Sequence, residues 1–516
     1  MTRPGSGGSP AAAGAGPSPR GPGGPTRRGR RCGPRHAARP RTEPPTEDTR
    51  TMDRTTPARP LATVATGAAA VAAVAAVVAA TSLAATSLAG GAVGGGRTAA
   101  APSAASAGGR AAPGHWLDTW ASMPQLTEPG NMPPAPFTQD HLVLPDTTLR
   151  QTVHVSAGGR QLRLRFSNAF GGTALPLTAV SVALPAGGQA GTSGIRPGSS
   201  RPVTFHARPS VSVPVGAQVV SDPLDFDLAP GTDLTVTLHL ARGQASDAIT
   251  SHPGSRTTSY LLAGSHVQDT DLPGATPADH WYFLSGVEVW SPRGEAAAVV
   301  LGDSLTDGRG STTNRNDRWP DQLLRRLQAR PDTAGTAVVN EAAGGNRVLD
   351  DGLGPNALAR LDRDVLVRSG VQWLIVFEGV NDIGTAAATA EAQTRVADDL
   401  VAAYDQIVAR AHAQGIRVYG ATLTPFGGNA AYDDPDGHRE AARQRVNRWI
   451  RTSGRFDSVI DFDRAARDPQ APRQLLPAYD VGDHLHLGPV GYGALADAVP
   501  GTLFRQAPLP PGFDRG

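Results

Sequence analysis

Glu295-Ala-Ala-Ala-Val-Val-Leu-Gly-Asp-Ser-Leu-Thr-Asp-Gly308 is the stretch whose reading decides the fold. Its apolar half shows no alternation, the pattern of a strand buried on both faces, and it stops abruptly at a Gly/Asp/Ser turn. A helix-period segment follows from Trp319 to Arg330. Strand-like runs then recur at Thr336–Asn340, Trp373–Phe377, Arg417–Ala421 and Ser458–Asp461, with helical periodicity at Glu391–Ala413 and His438–Ile450. Strands and helices alternating at these lengths predict βαβ units around a parallel sheet covered on both faces. Ligands on such sheets bind beyond the carboxyl ends of the strands, so the residues just after each strand are the first place to look for chemistry.

Upstream of Pro292 the texture is different. From His115 to about Ser291, period-two runs alternate with Gly/Pro/Asn/Asp clusters. Examples are Leu149–Val155, Gln161–Ser167, Ala179–Ala183, Val219–Phe226 and Asp233–His239, and Trp281–Trp290 supplies the last strands. No helix-period segment interrupts them, which predicts an all-β sandwich or jelly-roll-like domain. Trp116, Trp120, Trp281 and Trp290 are candidates for stacking on sugars, although aromatic residues in a sandwich more often belong to its core.

Residues 1–113 read as a leader and linker. The first fifty or so residues are rich in Pro, Gly and Arg and hold almost no large apolar side chain, so they cannot bury a core. Met52 begins a second pattern: Arg54 and Arg59, then an Ala/Val/Leu run inside Pro60–Gly96, which holds no charge. This is the layout of an export signal over about 52–100, with Ser82-Leu-Ala84 and Thr98-Ala-Ala100 as cleavage contexts. An uncleaved, mostly alanine membrane anchor is the alternative. Either reading places the working domains, 114–292 and 293–516, outside the cytoplasm, with membrane contact only through the signal or anchor.

Composition removes several function classes. The net charge of +2 hides an asymmetry: residues 1–110 carry fourteen arginines and four acids, so the rest carries 34 arginines against 42 acids. A net-acidic body without a basic stripe argues against nucleic-acid binding. The chain has no lysine, which excludes Schiff-base chemistry and the lysine-dependent phosphate loop. Its one cysteine, Cys32, lies in the leader, so disulfides, thiol catalysis and cysteine-ligated metals are excluded from the body.

Four segments follow the predicted strands. Gly302-Asp-Ser-Leu-Thr-Asp-Gly308 puts a serine at a strand end near backbone donors, although it reads G-x-S-x-T and so departs from the α/β-hydrolase elbow. Asn340-Glu-Ala-Ala-Gly-Gly-Asn-Arg347 brings glycine backbone close to a ligand. Gly379-Val-Asn-Asp382 offers an asparagine amide, and Asp483-His-Leu-His-Leu-Gly-Pro489 precedes the last helical stretch. Singly, each reads as an ordinary turn or polar loop. Together, at corresponding strand ends, they form a constellation.

In that constellation the sequence resembles the SGNH (GDSL) hydrolase family from about Ala296 to Leu503, with all four blocks in order. The continuation Gly310-Ser-Thr-Thr313 through Arg318-Trp-Pro-Asp321 resembles a secreted bacterial branch with a β domain ahead of the hydrolase. The resemblance implies a flavodoxin-like three-layer α/β fold with Ser304 as nucleophile. It implies oxyanion donors at the Ser304 N–H, the Gly345 N–H and the Asn381 side chain. His486 would be the base and Asp483 the carboxylate that orients it. Leu487-Gly488 stands where Pro-Asn is frequent in the family, which puts the local loop geometry in question.

The chemistry is consistent with those residue types. A serine hydroxyl needs an imidazole to take its proton, and the imidazole needs a carboxylate to fix its tautomer. No cofactor is required. His484-Leu-His486 is also a spacing that can bind a metal, but no third ligand stands nearby in sequence. Asp303 and Asp307 read as stabilisers of the turn or helix start. The expected activity is hydrolysis of carboxylic esters through an acyl-enzyme. A polysaccharide O-deacetylase with the same triad, and a non-catalytic carbohydrate-binding surface protein, are the alternatives.

Overall fold

The structure, a computed structural model, describes residues 114–505. The export signal, the anchor alternative and the linker lie outside the described residues. The five strands predicted after Pro292 form one parallel sheet in the order Thr336–Asn340, Ala296–Gly302, Val371–Phe377, Arg417–Ala421, Ser458–Ile460. That is the 2-1-3-4-5 order of flavodoxin-like sheets. Ala296–Gly302 is buried at every position, which accounts for its lack of alternation. Helices Trp319–Gln328, Ala390–Ala413, His438–Thr452 and Pro489–Ala498 follow the strands. Three helical segments were not anticipated: Ala357–Leu361, which continues to Leu366; Val380–Thr385, which places Asn381 at a helix start; and Phe462–Ala466.

Between 114 and 292 the described residues form antiparallel strands with only two short 3₁₀ turns, Pro129–Asn131 and Ala186–Gly188. One sheet runs Gly114–Ala121, Leu284–Pro292, Gly159–Ser167, Gln218–Val220, with Leu224–Leu228 also paired to Gly159–Ser167. The other runs Thr276–Ala278, Ser259–Ala263, Thr147–Val155, Thr232–Leu240, Ala179–Ala183, Arg201–Val203. Leu162, Leu164 and Phe166 of the first sheet, and Leu234, Val236, Leu238 and Leu240 of the second, belong to one buried apolar cluster. The single strand expected over Val219–Phe226 is two, because Pro223 has no N–H to donate. At the break the Asp222 carboxylate instead accepts from the His206 and Ala207 N–H groups. Trp120 and Trp281 are core residues in edge-to-face contact at 4.9 Å, and the Arg163 guanidinium lies 4.3 Å above the Trp116 ring.

The two regions meet through polar contacts as well as apolar ones. The Asp118 N–H donates to the Ser369 carbonyl at 3.0 Å, and the Ser369 N–H returns to the Asp118 carboxylate at 2.7 Å. Gln328 Nε2 donates to the Ser156 carbonyl at 2.6 Å. Glu288, fully buried, collects Arg163, Arg165 and the Ser369 hydroxyl. Cutting the chain at Glu295 strips every one of these partners. A chain starting there is expected to aggregate or to melt well below the full-length protein in scanning calorimetry. Equal melting temperatures would show that the contacts contribute nothing.

Candidate active site

Ser304 opens a single helical turn, Ser304–Asp307, just after the strand Ala296–Gly302. Asp303 caps this turn by accepting from the Leu305 N–H at 2.9 Å. Asp303 is buried, and burial, reinforced by the nearby Glu378 carboxylate, raises its pKa well above the ordinary aspartate value. Arg309 N–H and Gly308 N–H both donate to the Ser304 carbonyl at 3.0 Å, closing the turn.

The serine hydroxyl lies 2.8 Å from His486 Nε2, and His486 Nδ1 lies 2.7 Å from Asp483 Oδ2. A carboxylate only accepts, so the ring proton sits on Nδ1 and Nε2 offers its lone pair to the serine O–H. Asp483 Oδ1 also accepts from the Leu485 and His486 N–H groups, at 3.1 and 2.8 Å, so one carboxylate shapes the loop and orients the ring. Burial works to raise the Asp483 pKa, but the hydrogen bonds from the His486 backbone and ring hold it below the ordinary value. Burial lowers the His486 pKa; Asp483 opposes that shift, and the charges of Arg309 and Arg256 add to it.

His484 takes a different path. Its backbone has φ +60°, its side chain is exposed, and its Nδ1 pairs with Asp480 Oδ2 at 2.6 Å. It does not join His486 in a cluster: among the described residues no group of three or more His, Cys, Asp or Glu side chains is arranged to hold a metal ion. The departure at Leu487-Gly488 leaves the loop ordered. Leu487 is buried, the Gly488 N–H donates to the Tyr479 carbonyl at 2.8 Å, and Pro489 starts the following helix.

Around Ser304 the expected donors gather. Gly345 has φ +71°, a left-handed conformation that glycine adopts without strain. Neither the Ser304 N–H nor the Gly345 N–H is used in a hydrogen bond among the described residues. Asn381 Nδ2 donates one proton to the Asn346 carbonyl at 2.7 Å and keeps the other. Its neighbour Asp382 accepts from the Val348 and Leu349 N–H groups, each at 2.9 Å, stitching the third-strand loop to the second.

Several residues of this site were not read from the sequence. The Tyr432 hydroxyl donates to Asn381 Oδ1 at 2.7 Å, which fixes which end of that amide is the donor. Asp307 is not simply a turn stabiliser: its Oδ1 meets His252 Nε2 at 2.9 Å, from the β region. The resulting cleft, about 610 Å³, is lined by Ser304, Gly345, Asn381, Tyr432 and His486 together with Gln125, Glu128, Asn131, His252 and Arg256. Position could have pointed to Tyr432, which lies in the loop after the strand Arg417–Ala421. The β-region residues carry no motif.

Residues 300–494 match the model of the GDSL-like lipase/acylhydrolase family. No curated protein matches the chain. Among solved structures, a putative lipolytic protein of the G-D-S-L family from Desulfitobacterium hafniense is 18% identical, covering 40% of this chain and 97% of its own, with a TM-score of 0.30. A putative acylhydrolase from Bacteroides fragilis is 19% identical, covering 40% and 85%, with a TM-score of 0.29. An acetyl xylan esterase variant from Geobacillus stearothermophilus is 22% identical, covering 39% and 92%, with a TM-score of 0.31.

Two outcomes follow from the site. Tyr432→Phe is expected to lower kcat by about tenfold with a smaller change in KM, because the amide it orients is freed to rotate; an unchanged kcat would remove Tyr432 from the site. For pH, the base must be neutral to act, and burial shifts its pKa down. The acid limb of kcat/KM should therefore rise with pH and have its midpoint below the ordinary histidine value of about 6.5. A midpoint above that value would contradict the assignment.

Proposed function

Because residues 300–494 carry a GDSL-like lipase/acylhydrolase domain, we propose that the protein is a secreted serine esterase. It cleaves carboxylic esters with Ser304, His486 and Asp483 as its triad. The observation that carries the reading is the hydrogen-bonded run Asp483–His486–Ser304 facing unused N–H groups. His486 takes the serine proton as Oγ attacks the ester carbonyl carbon. The Ser304 N–H, the Gly345 N–H and the free Asn381 N–H hold the resulting oxyanion. His486 then gives its proton to the departing alcohol, leaving an acyl-serine. Water, deprotonated by the same imidazole, releases the acid and restores the serine.

Secretion belongs to this proposal and rests on the leader pattern over about 52–100. The sandwich reading of residues 114–292 belongs here too, supported by two antiparallel sheets and by the inward alternation of Leu162, Leu164 and Phe166 along Gly159–Ser167. Deacetylation of polysaccharides is the second reading. It is favoured by Gln125, Glu128, Asn131 and Arg256 on the cleft wall, polar side chains of the kind that meet sugar hydroxyls.

Ser304→Ala should abolish hydrolysis of chromogenic esters with an unchanged circular dichroism spectrum; substantial retained turnover would sink the serine mechanism. His486→Ala should be far more damaging than His484→Ala, and equal losses would reassign the base. Asn381→Ala should lower kcat by about 10²–10³, the usual loss for one oxyanion donor. An effect on KM alone would make it a substrate-binding residue.

A further inference from the structure

The catalytic cleft holds two carboxylates and two guanidiniums, Glu128, Asp307, Arg256 and Arg309, and their situations differ. Glu128 already accepts from Gln125 Nε2 and, at 2.9 Å, from Asn131 Nδ2. Asp307 is bonded through Oδ1 to His252, and its Oδ2 is buried against Gly254, where a Cβ would come within 1.7 Å. Neither guanidinium makes a hydrogen bond or an ion pair among the described residues, and Arg256 Nε is buried without an acceptor. The arginines buried in the core behave otherwise. Arg150 donates to Thr237, Ser193 and Asp269, and Arg443 to Glu440, Leu423 and Asp463.

The backbones beneath the two cleft arginines are held in place. The Arg256 carbonyl accepts from the Asn314 N–H at 2.9 Å, and Ser255 Oγ bridges to the Thr257 carbonyl at 2.7 Å. The Arg309 N–H is bonded to the Ser304 carbonyl, and its own carbonyl accepts from the Tyr492 hydroxyl at 2.6 Å. Both side chains thus spring from fixed backbone and line the same cleft as Ser304 with their donors unspent. Their charges oppose protonation of the His486 ring, which puts them within electrostatic reach of the reacting atoms. A guanidinium's planar donor fork matches a carboxylate or phosphate.

We propose that Arg256 and Arg309 form an anion-recognising subsite of the cleft, so that the preferred ester carries a carboxylate or phosphate close to the scissile bond. The proposal rests on the reading of this cleft as an ester-hydrolysing site. One arginine comes from the β region and one from the catalytic turn, so the subsite exists only where the two regions meet.

Matched substrates test it in the full-length protein at about pH 8, where an imidazole is neutral. On the acyl side the pair is para-nitrophenyl hemisuccinate against para-nitrophenyl pentanoate. On the alcohol side it is para-acetoxybenzoate against para-acetoxybenzamide, with para-acetoxyphenyl phosphate to distinguish phosphate from carboxylate. In at least one pair the anionic ester should be favoured by about tenfold or more in kcat/KM, the scale of one charge-assisted hydrogen bond. Arg256→Gln and Arg309→Gln should each bring the ratio towards one, and Arg309→Lys should keep part of it. Arg309 is exposed and its side chain makes no bond in the fold, so its variants answer the question even if Arg256→Gln fails to fold. A ratio at or below one in both pairs, or a ratio unchanged by both glutamine variants, overturns the subsite.

Calorimetry of para-acetoxybenzoate and of para-nitrophenyl hemisuccinate binding to Ser304→Ala reads the subsite without turnover. Binding of either anion weakened by an arginine substitution supports it, and binding of both indifferent to both substitutions overturns it. If the wild type hydrolyses neither member of any pair, the esterase reading fails, while this binding result still decides the subsite.

Discussion

A hydrogen bond between Ser304 and His486, 182 residues apart in the chain, is the contact on which the site depends. It forms only if the carboxyl edge of the parallel sheet holds every loop in register. That register comes mainly from side chains bonded to the backbone of a neighbouring loop. Asn381 reaches the Asn346 carbonyl, Asp382 the Val348 and Leu349 N–H groups, and Asn429 the Asp483 carbonyl. Each bond crosses from one loop to the next, so displacing one loop loosens its neighbours. Donors fixed in this way need no reorganisation when charge develops on the substrate.

Beneath the loops lies a layer of buried charge. Arg360, fully buried, donates to Asn346 Oδ1 at 3.0 Å and to the Glu341 carbonyl at 2.5 Å, and it approaches Glu378 and Asp364 at 3.5 Å. It therefore shapes the loop that contains Gly345 from below. Burial pushes Glu378 up to about 7, against the pull of Arg360. The same cause raises Asp303 well above its ordinary value. Desolvation thus disfavours the charged form of both carboxyls, one of which caps the Ser304 turn.

Much of this was legible in the sequence, and the parts that were not share a reason. The strands Thr336–Asn340 and Arg417–Ala421 coincide with their expected limits because short apolar runs bounded by polar residues carry their own boundaries. The segments that hold Ser304, Gly345, Asn381, Asp483 and His486 follow a strand or precede the last helix, positions that periodicity can locate, and the resemblance to the SGNH (GDSL) family singled out the individual residues. Val380–Thr385 was hidden because its six residues are too few to show a helical period, and Gly379 before them reads as a turn. Gln125, Asn131, His252 and Arg256 were invisible for a different reason. Their place in the cleft is set by how two regions pack, and no spacing along the chain encodes it.

His252 shows how far that packing reaches into the chemistry. Its Nδ1 lies 3.0 Å from the Met123 carbonyl and its Nε2 lies 2.9 Å from Asp307 Oδ1. Both partners only accept, so satisfying both bonds takes a ring that carries both protons. Burial works to raise the Asp307 pKa, but the charge and hydrogen bond of His252, with the charges of Arg256 and Arg318, hold it below its ordinary value. The β region and the turn bearing Ser304 are thus joined by a buried hydrogen bond between side chains. Removing His252 would leave the buried Asp307 Oδ1, on the helical turn that Ser304 begins, without that donor, and an unsatisfied buried polar group is costly. The all-β region is therefore part of what holds the nucleophile in place, and the catalytic turn could not keep its present surroundings without it.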